Sequence, residues 1–184
     1  MTHLDQIERD LETLALSLLS ADLVRLASSL AELPKNSTAY TYTVTGFDGS
    51  PYLTRTLLPR VRGWRPLIHQ IHRADADAVP HNHPWREAHF RVVRGGYVDE
   101  RWERSLADGV VGWTTAPRLL SSGDVNWLCA GDFHRAIEVQ PGTITVGLVA
   151  DRVQDWGFLV DDAVVPHEEY FRRRGYVELV GSIA

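Results

Sequence analysis

The sequence predicts a mainly β protein, a sandwich or barrel of short strands, with two helices ahead of it and a short helix behind. Three observations carry this. From Thr38 onward, short runs rich in β-branched and aromatic residues are broken by Gly, Pro, Asp and Ser. Strands of this kind with no helices between them build sandwiches or barrels, not parallel α/β sheets. Before Thr38, leucines recur at helical spacing. A chain of 184 residues is one ordinary domain with room for a sizeable core.

Taken in order, residues 3–33 read as helix. Leu4, Ile7, Leu11, Leu14 and Leu18 fall on one stripe, and Leu23, Leu26, Leu30 and Leu33 restart it, with Ser20-Ala21-Asp22 as a break and fresh N-cap. Pro34 stops the second helix. The stripe either packs on its own barrel or forms a homodimer surface. Packing at home is the expectation, because most apolar helix stripes face their own core. The boundary therefore falls between a helical preface, 1–34, and a β domain, 35–184.

Tyr40-Thr-Tyr-Thr-Val-Thr45 alternates and is rich in β-formers, and Gly46–Pro51 is a turn. Residues 52–58 and 67–73 are the next strands, with Gly63-Trp-Arg-Pro66 turning between them. Further strands are expected at 87–94, 97–103, 109–115, 125–129, 134–139 and 143–150, with edge strands at 158–160 and 163–165. His167–Arg174 reads as a short helix, acids first and bases last as the helix dipole prefers, with Gly175 as its stop.

A net charge of -5 gives no encouragement to nucleic-acid binding. The single Cys129 excludes an intramolecular disulfide framework and suits a reducing compartment. No apolar run reaches the length of a membrane span, and Asp5, Glu8 and Asp10 stand where a signal peptide carries bases. A cytoplasmic protein is the expectation.

The chemistry concentrates in Val79-Pro-His-Asn-His-Pro-Trp-Arg-Glu-Ala-His89. Side chains two apart on a strand share a face, so His81 and His83 aim two imidazoles at one point. If the chain turns at Pro84-Trp85, Glu87 and His89 share a face on the returning strand, and either supplies a further ligand. Two His and a carboxylate with open positions suit non-haem Fe(II). A second segment, Gly123 to Glu138, adds His134.

Together the two segments resemble the cupin superfamily. Its first motif reads G-x5-H-x-H-x3–4-E-x6-G and its second G-x5-P-x-G-x2-H-x3-N. His81-x-His83-x3-Glu87 fits the ligand part of the first, while Gly95 comes one position late and counting back from Gly96 selects His89 instead. Gly123, Cys129, Gly131, His134 and Glu138 keep the spacing of the second, with Cys for Pro and Glu for Asn. The resemblance implies a cupin-type double-stranded β-helix, a jelly-roll barrel. It implies a divalent metal on His81, His83 and His134, with Glu87 as the expected fourth ligand and His89 as the alternative. Fe(II) is favoured; Zn, Mn and Ni are the other ions such a set takes.

A second resemblance is to thiol dioxygenases of the cysteine dioxygenase type. These cupins carry a Tyr/Arg strand segment upstream of His-x-His, and its Arg holds the substrate carboxylate. Tyr52-Leu-Thr-Arg55 lies at a similar distance before His81, which implies Arg55 and Tyr52, with His89, as substrate-handling residues. Those enzymes use three His ligands and a pocket Tyr; here Ala88 stands at their Cys position and Asp151 where the Tyr is sought. Residues 50–174 also resemble a group of small bacterial and phage cupins with no assigned reaction, on Leu67–Asp77, His81-Asn-His-Pro-Trp85, Gly95-Gly-Tyr97, Asp155-Trp-Gly-Phe158 and Glu169-Tyr-Phe171. The implied function is a mononuclear non-haem Fe(II) oxygenase acting on a small, carboxylate-bearing molecule. The alternative is a non-redox Zn or Mn isomerase, lyase or hydrolase, or a ligand-binding module without catalysis.

Overall fold

A computed structural model describes residues 40–46, 48–58, 60, 63–75, 79–107 and 110–174. The expected helices within 3–33, Pro34 and the stop at Gly175 lie outside the described residues. Among the described residues, eleven strands and one helix follow in chain order: β1 Tyr40–Thr45, β2 Pro51–Leu57, β3 Arg65–Ile71, β4 Glu87–Arg94, β5 Gly96–Ala107, β6 Val110–Ser121, β7 Val125–Cys129, β8 Phe133–Ile137, β9 Thr143–Val149, β10 Gly157–Val160, β11 Ala163–Pro166 and α1 His167–Arg173.

The strands form two facing sheets. The first has the order β1-β2-β3-β9-β4-β7 and is antiparallel throughout. The second runs β6-β5-β8, continues through His81, which bridges His134 on one side and Phe158 on the other, and ends in β10-β11. From β3 the chain moves between the sheets: residues 79–83 join the second, β4 returns to the first, β5 and β6 form a hairpin in the second, then β7, β8 and β9 alternate. This interleaving is a double-sheet jelly roll, the double-stranded β-helix implied by the two motifs.

Alternation along the strands divides the side chains. On the first sheet Leu53, Ile71 and Val92 point toward the second and pack with its Tyr97, Leu120 and Ala136. The same phase carries Arg55, Leu57, Leu67, His69, Ala88 and Phe90 into the lumen. The opposite phase puts Ile68, Ile144, Val146 and Leu148 on the outer face. Gly147 lies in the lumen phase because a Cβ there would meet the Phe90 ring at 2.5 Å; its lack of a side chain makes room for that ring.

The expected strands at 40–45, 87–94 and 125–129 are met residue for residue. β5 and β6 run longer than expected because Gly96–Ala107 pairs with Val110–Ser121 in one unbroken register. The second motif also finds physical reasons for its departures. The Cys129 amide donates to Asp132 Oδ2 at 2.7 Å, a bond that Pro cannot make. Glu138 has φ 51°, a left-handed conformation in which Asn is enriched, so the position selects for backbone geometry, not for a ligand.

Candidate metal centre

The site is built where the second sheet is narrowest. His81 and His134 are a directly opposed antiparallel pair, with His81 N–H donating to His134 O at 2.9 Å and His134 N–H to His81 O at 3.0 Å. Their side chains therefore leave the same face. Asn82, buried between the two motif histidines, accepts Gly157 N–H on Oδ1 at 2.7 Å and donates its own N–H to Gly157 O at 3.0 Å. That clamp holds residues 81–83 extended, so His83 follows His81 onto the lumen side. Gln154 Nε2 donates to His83 O at 3.0 Å and also to Ala130 O, fixing the other end.

The three rings form a near-equilateral cluster, with centroids 5.1 Å (His81–His83), 5.0 Å (His81–His134) and 5.1 Å (His83–His134) apart. One ring nitrogen from each lies within 4.8 Å of the others. The Nε2 atoms of His83 and His134 are 2.9 Å apart. Burial holds His83 well below the usual imidazole range, with His134 adding to it, and holds His81 down to about 4. Burial thus keeps both imidazoles neutral, the form that binds a metal. That donor set fits a divalent ion.

Behind His134 stands Asp99, fully buried. Its Oδ1 lies 2.6 Å from His134 Nδ1 and its Oδ2 accepts Arg101 Nε–H at 2.9 Å. Burial raises the Asp99 carboxyl, but the bonds and charges of His134 and Arg101 outweigh it and hold the group below its usual value. Sequence reading passed over Asp99 and Arg101. A signal was there: both lie in the inward phase of β5 with Tyr97, where an apolar residue is the default.

Glu87 is not part of the cluster. Ala88 and Phe90 take the lumen phase of β4, so Glu87 and His89 share the outer face. Glu87 lies 3.7 Å from both Arg86 and His89, and the His89 ring stacks on Trp127 at 5.9 Å and meets Trp64 edge-on at 5.7 Å. The shared face was foreseen; its side was not, because the turn before β4 resets the phase. Glu87→Ala and His89→Ala are each expected to leave metal content unchanged, measured by elemental analysis; a drop in either variant would restore that residue as a ligand.

Arg55 reaches into the lumen. Its Nε donates to His69 Nε2 at 2.8 Å and its Nη1 to Tyr42 Oη at 3.1 Å, and the guanidinium lies 5.6 Å from the Trp85 ring centre. Burial, then the Arg55 charge, pushes His69 well below its usual value. Among the described residues no carboxylate pairs with Arg55. Trp85 stacks on His83 at 4.9 Å, so one indole contacts both the cationic and the imidazole parts of the lumen. Tyr52 turns its hydroxyl to Asp75, and burial followed by that acid raises its pKa well above the usual value. Asp151, at the position compared with a pocket Tyr, is exposed and pairs with Arg60 at 2.6 Å.

The depressed imidazoles set a pH dependence for the metal-free protein. Unfolded His binds its proton near about 6.5, whereas folded His81 does so only at about 4. The unfolded state therefore binds more protons on acidification, and stability falls with pH across that window. The expected loss from His81 alone is about 3 kcal/mol between pH 7 and pH 4. Urea midpoints against pH check it, and a flat profile over that range would contradict it.

No family model and no curated protein matches the sequence. Solved structures similar to it are cupins and double-stranded β-helix proteins. They include KdgF from Halomonas sp. (21% identity, 55% of this chain and 81% of that one, TM-score 0.39) and an RmlC-like cupin from Shewanella frigidimarina (18%, 64% and 87%, 0.39). A third is HEPD from Streptomyces albus with 2-hydroxyethylphosphonate and Fe(II) bound (19%, 62% and 24%, 0.46); this chain spans about a quarter of its length. No helix among the described residues is long and apolar enough to cross a membrane.

Proposed function

We propose that the protein is a mononuclear, metal-dependent enzyme in which His81, His83 and His134 hold a divalent ion and Arg55 holds a small anionic substrate. The observation that carries this reading is the meeting, in one lumen, of three converging imidazoles and a guanidinium whose partners are an imidazole and a phenol instead of an acid. Arg55 is half-buried and has no acidic partner among the described residues; a cation withdrawn from water without a counter-charge is costly, and an incoming carboxylate supplies one in the planar, forked geometry that Arg favours.

The reaction proposed is an Fe(II)-dependent oxygenation. A set of three His is the one used by the thiol dioxygenases that the Arg55 segment resembles. The bound ion would supply Lewis acidity and, as Fe(II), redox chemistry with O2. The chain's own residues bind and orient: Arg55 fixes the acid end of the substrate, His69 and Tyr42 hold Arg55 in place, and Trp85, Phe90 and Leu67 keep water out. The test is oxygen uptake by protein loaded anaerobically with Fe(II) and offered small amino, hydroxy and thiol acids. Substrate-dependent uptake supports the oxygenase. Turnover with Zn(II) and without uptake would replace it with the second reading, a non-redox enzyme, which the same set favours because three imidazoles with an open position also make hydrolytic zinc sites.

A further inference from the structure

We propose, resting on the metal reading above, that Asp99 is a positioning residue that fixes the tautomer of His134, and that Arg101 is what compels it to do so. Five contacts give the chain its direction. Asn126 Nδ2 donates to Tyr97 Oη at 3.1 Å, which leaves Asn126 Oδ1 to accept Arg101 Nη2 at 2.5 Å. The same Nη2 donates to Trp127 O at 2.5 Å. Arg101 Nε then donates to Asp99 Oδ2 at 2.9 Å, and Asp99 Oδ1 faces His134 Nδ1 at 2.6 Å.

Arg has only donors and does not give up its proton, so Arg101 always demands an acceptor at position 99. A carboxylate meets that demand with one oxygen and still accepts from His134 with the other. The His134 proton therefore sits on Nδ1, and Nε2 keeps its lone pair, which in the metal-free protein accepts from His83 Nε2 at 2.9 Å and is open to an ion once that proton is gone. Without this arrangement either nitrogen of a neutral imidazole can carry the proton. Half of that choice destroys the ligand.

The isosteric change Asp99→Asn tests the mechanism because an amide has one accepting end and one donating end. With its oxygen toward Arg101, the amide nitrogen faces His134 Nδ1, and the ring must move its proton to Nε2. With its oxygen toward His134, two buried donors meet at Arg101. The ring can change tautomer and the guanidinium cannot, so the first arrangement is the expected one. A substitution that merely loosened the barrel would lower stability and leave the tautomer alone.

The experiment combines ring nitrogen chemical shifts of metal-free protein with Zn(II) affinity by chelator competition. Wild type is expected to carry Nδ1–H at His134. Asp99→Asn should carry Nε2–H and bind Zn(II) about 10–100-fold more weakly, the usual effect of losing such an orienting partner. Asp99→Asn combined with Arg101→Met removes the competing donor, so Nδ1–H and part of the affinity should return. Nδ1–H retained in the single variant, or a double variant no better than the single, overturns the proposal. A wild type that shows Nδ1–H but binds no Zn(II) overturns the metal reading and leaves the role of Asp99 standing.

Discussion

His81→Ala is expected to weaken divalent-metal binding by more than about 100-fold while the protein stays folded. The magnitude follows from a comparison: losing an orienting partner behind a ligand costs about 10–100-fold, and losing the ligand itself costs more. His81 is the clean position for this test. Its ring packs against His83, His134, Trp156 and Phe158, and its two backbone bonds to His134 survive truncation. His134→Ala should abolish binding equally but also strand the buried Asp99 carboxylate, leaving an acceptor unmade at a cost of about 1–3 kcal/mol or more. Metal content near one per chain in His81→Ala, with an unchanged melting temperature, would remove the assignment.

Arg55→Leu is expected to spare the metal and to weaken binding of an anionic ligand by about 2–5 kcal/mol, the range for truncating one partner of a buried charge pair. Glu87 is excluded as the structural counter-charge, because it lies on the outer face beside Arg86. The substitution also removes the donor to His69 Nε2, so a modest fall in stability accompanies it, about 1 kcal/mol. Calorimetry with small acids and elemental analysis of the same preparation read the two effects separately. Unchanged affinity for an identified anionic ligand would rule out the anchor, and loss of metal would make Arg55 a support of the site.

Period-two alternation correctly paired His81 with His83, and Glu87 with His89. Alternation gives a relative phase only. Which phase faces the lumen depends on the preceding turn, and Pro84–Arg86, pinned by Arg86 N–H to Asp151 O and Val153 N–H to Pro84 O, reverses it. The apolar run Ala88, Phe90, Val92 held the correction, since those side chains had to be inside. The resemblance implied Arg55 as a substrate-handling residue, but its partners His69 and Tyr42 were not foreseen, because they meet it across strands whose register is a tertiary property. Asp99 escaped notice for the same reason: it lies 35 residues from His134 in the chain.

One consequence of the bridge at His81 concerns motion. The C-terminal hairpin and α1 join the rest of the second sheet through the 80–82 segment: Pro80 O accepts Leu159 N–H, Asn82 Oδ1 accepts Gly157 N–H, and His81 bridges Phe158. On its other side the same segment is held to β8 by the two backbone bonds between His81 and His134. A metal drawn onto His81, His83 and His134 would staple that second seam at the side chains as well as the backbone. Separation of the segment from β8 and release of the ion then become linked equilibria, since a ligand that binds only the closed form suppresses opening by mass action. The amides of His81 and His134, which donate across that seam, are the reporters. Their hydrogen exchange should slow on loading the site, while exchange on β3 and β9, in the middle of the other sheet, stays as it was. A seam that exchanges at one rate with and without metal would mean that it moves independently of the site.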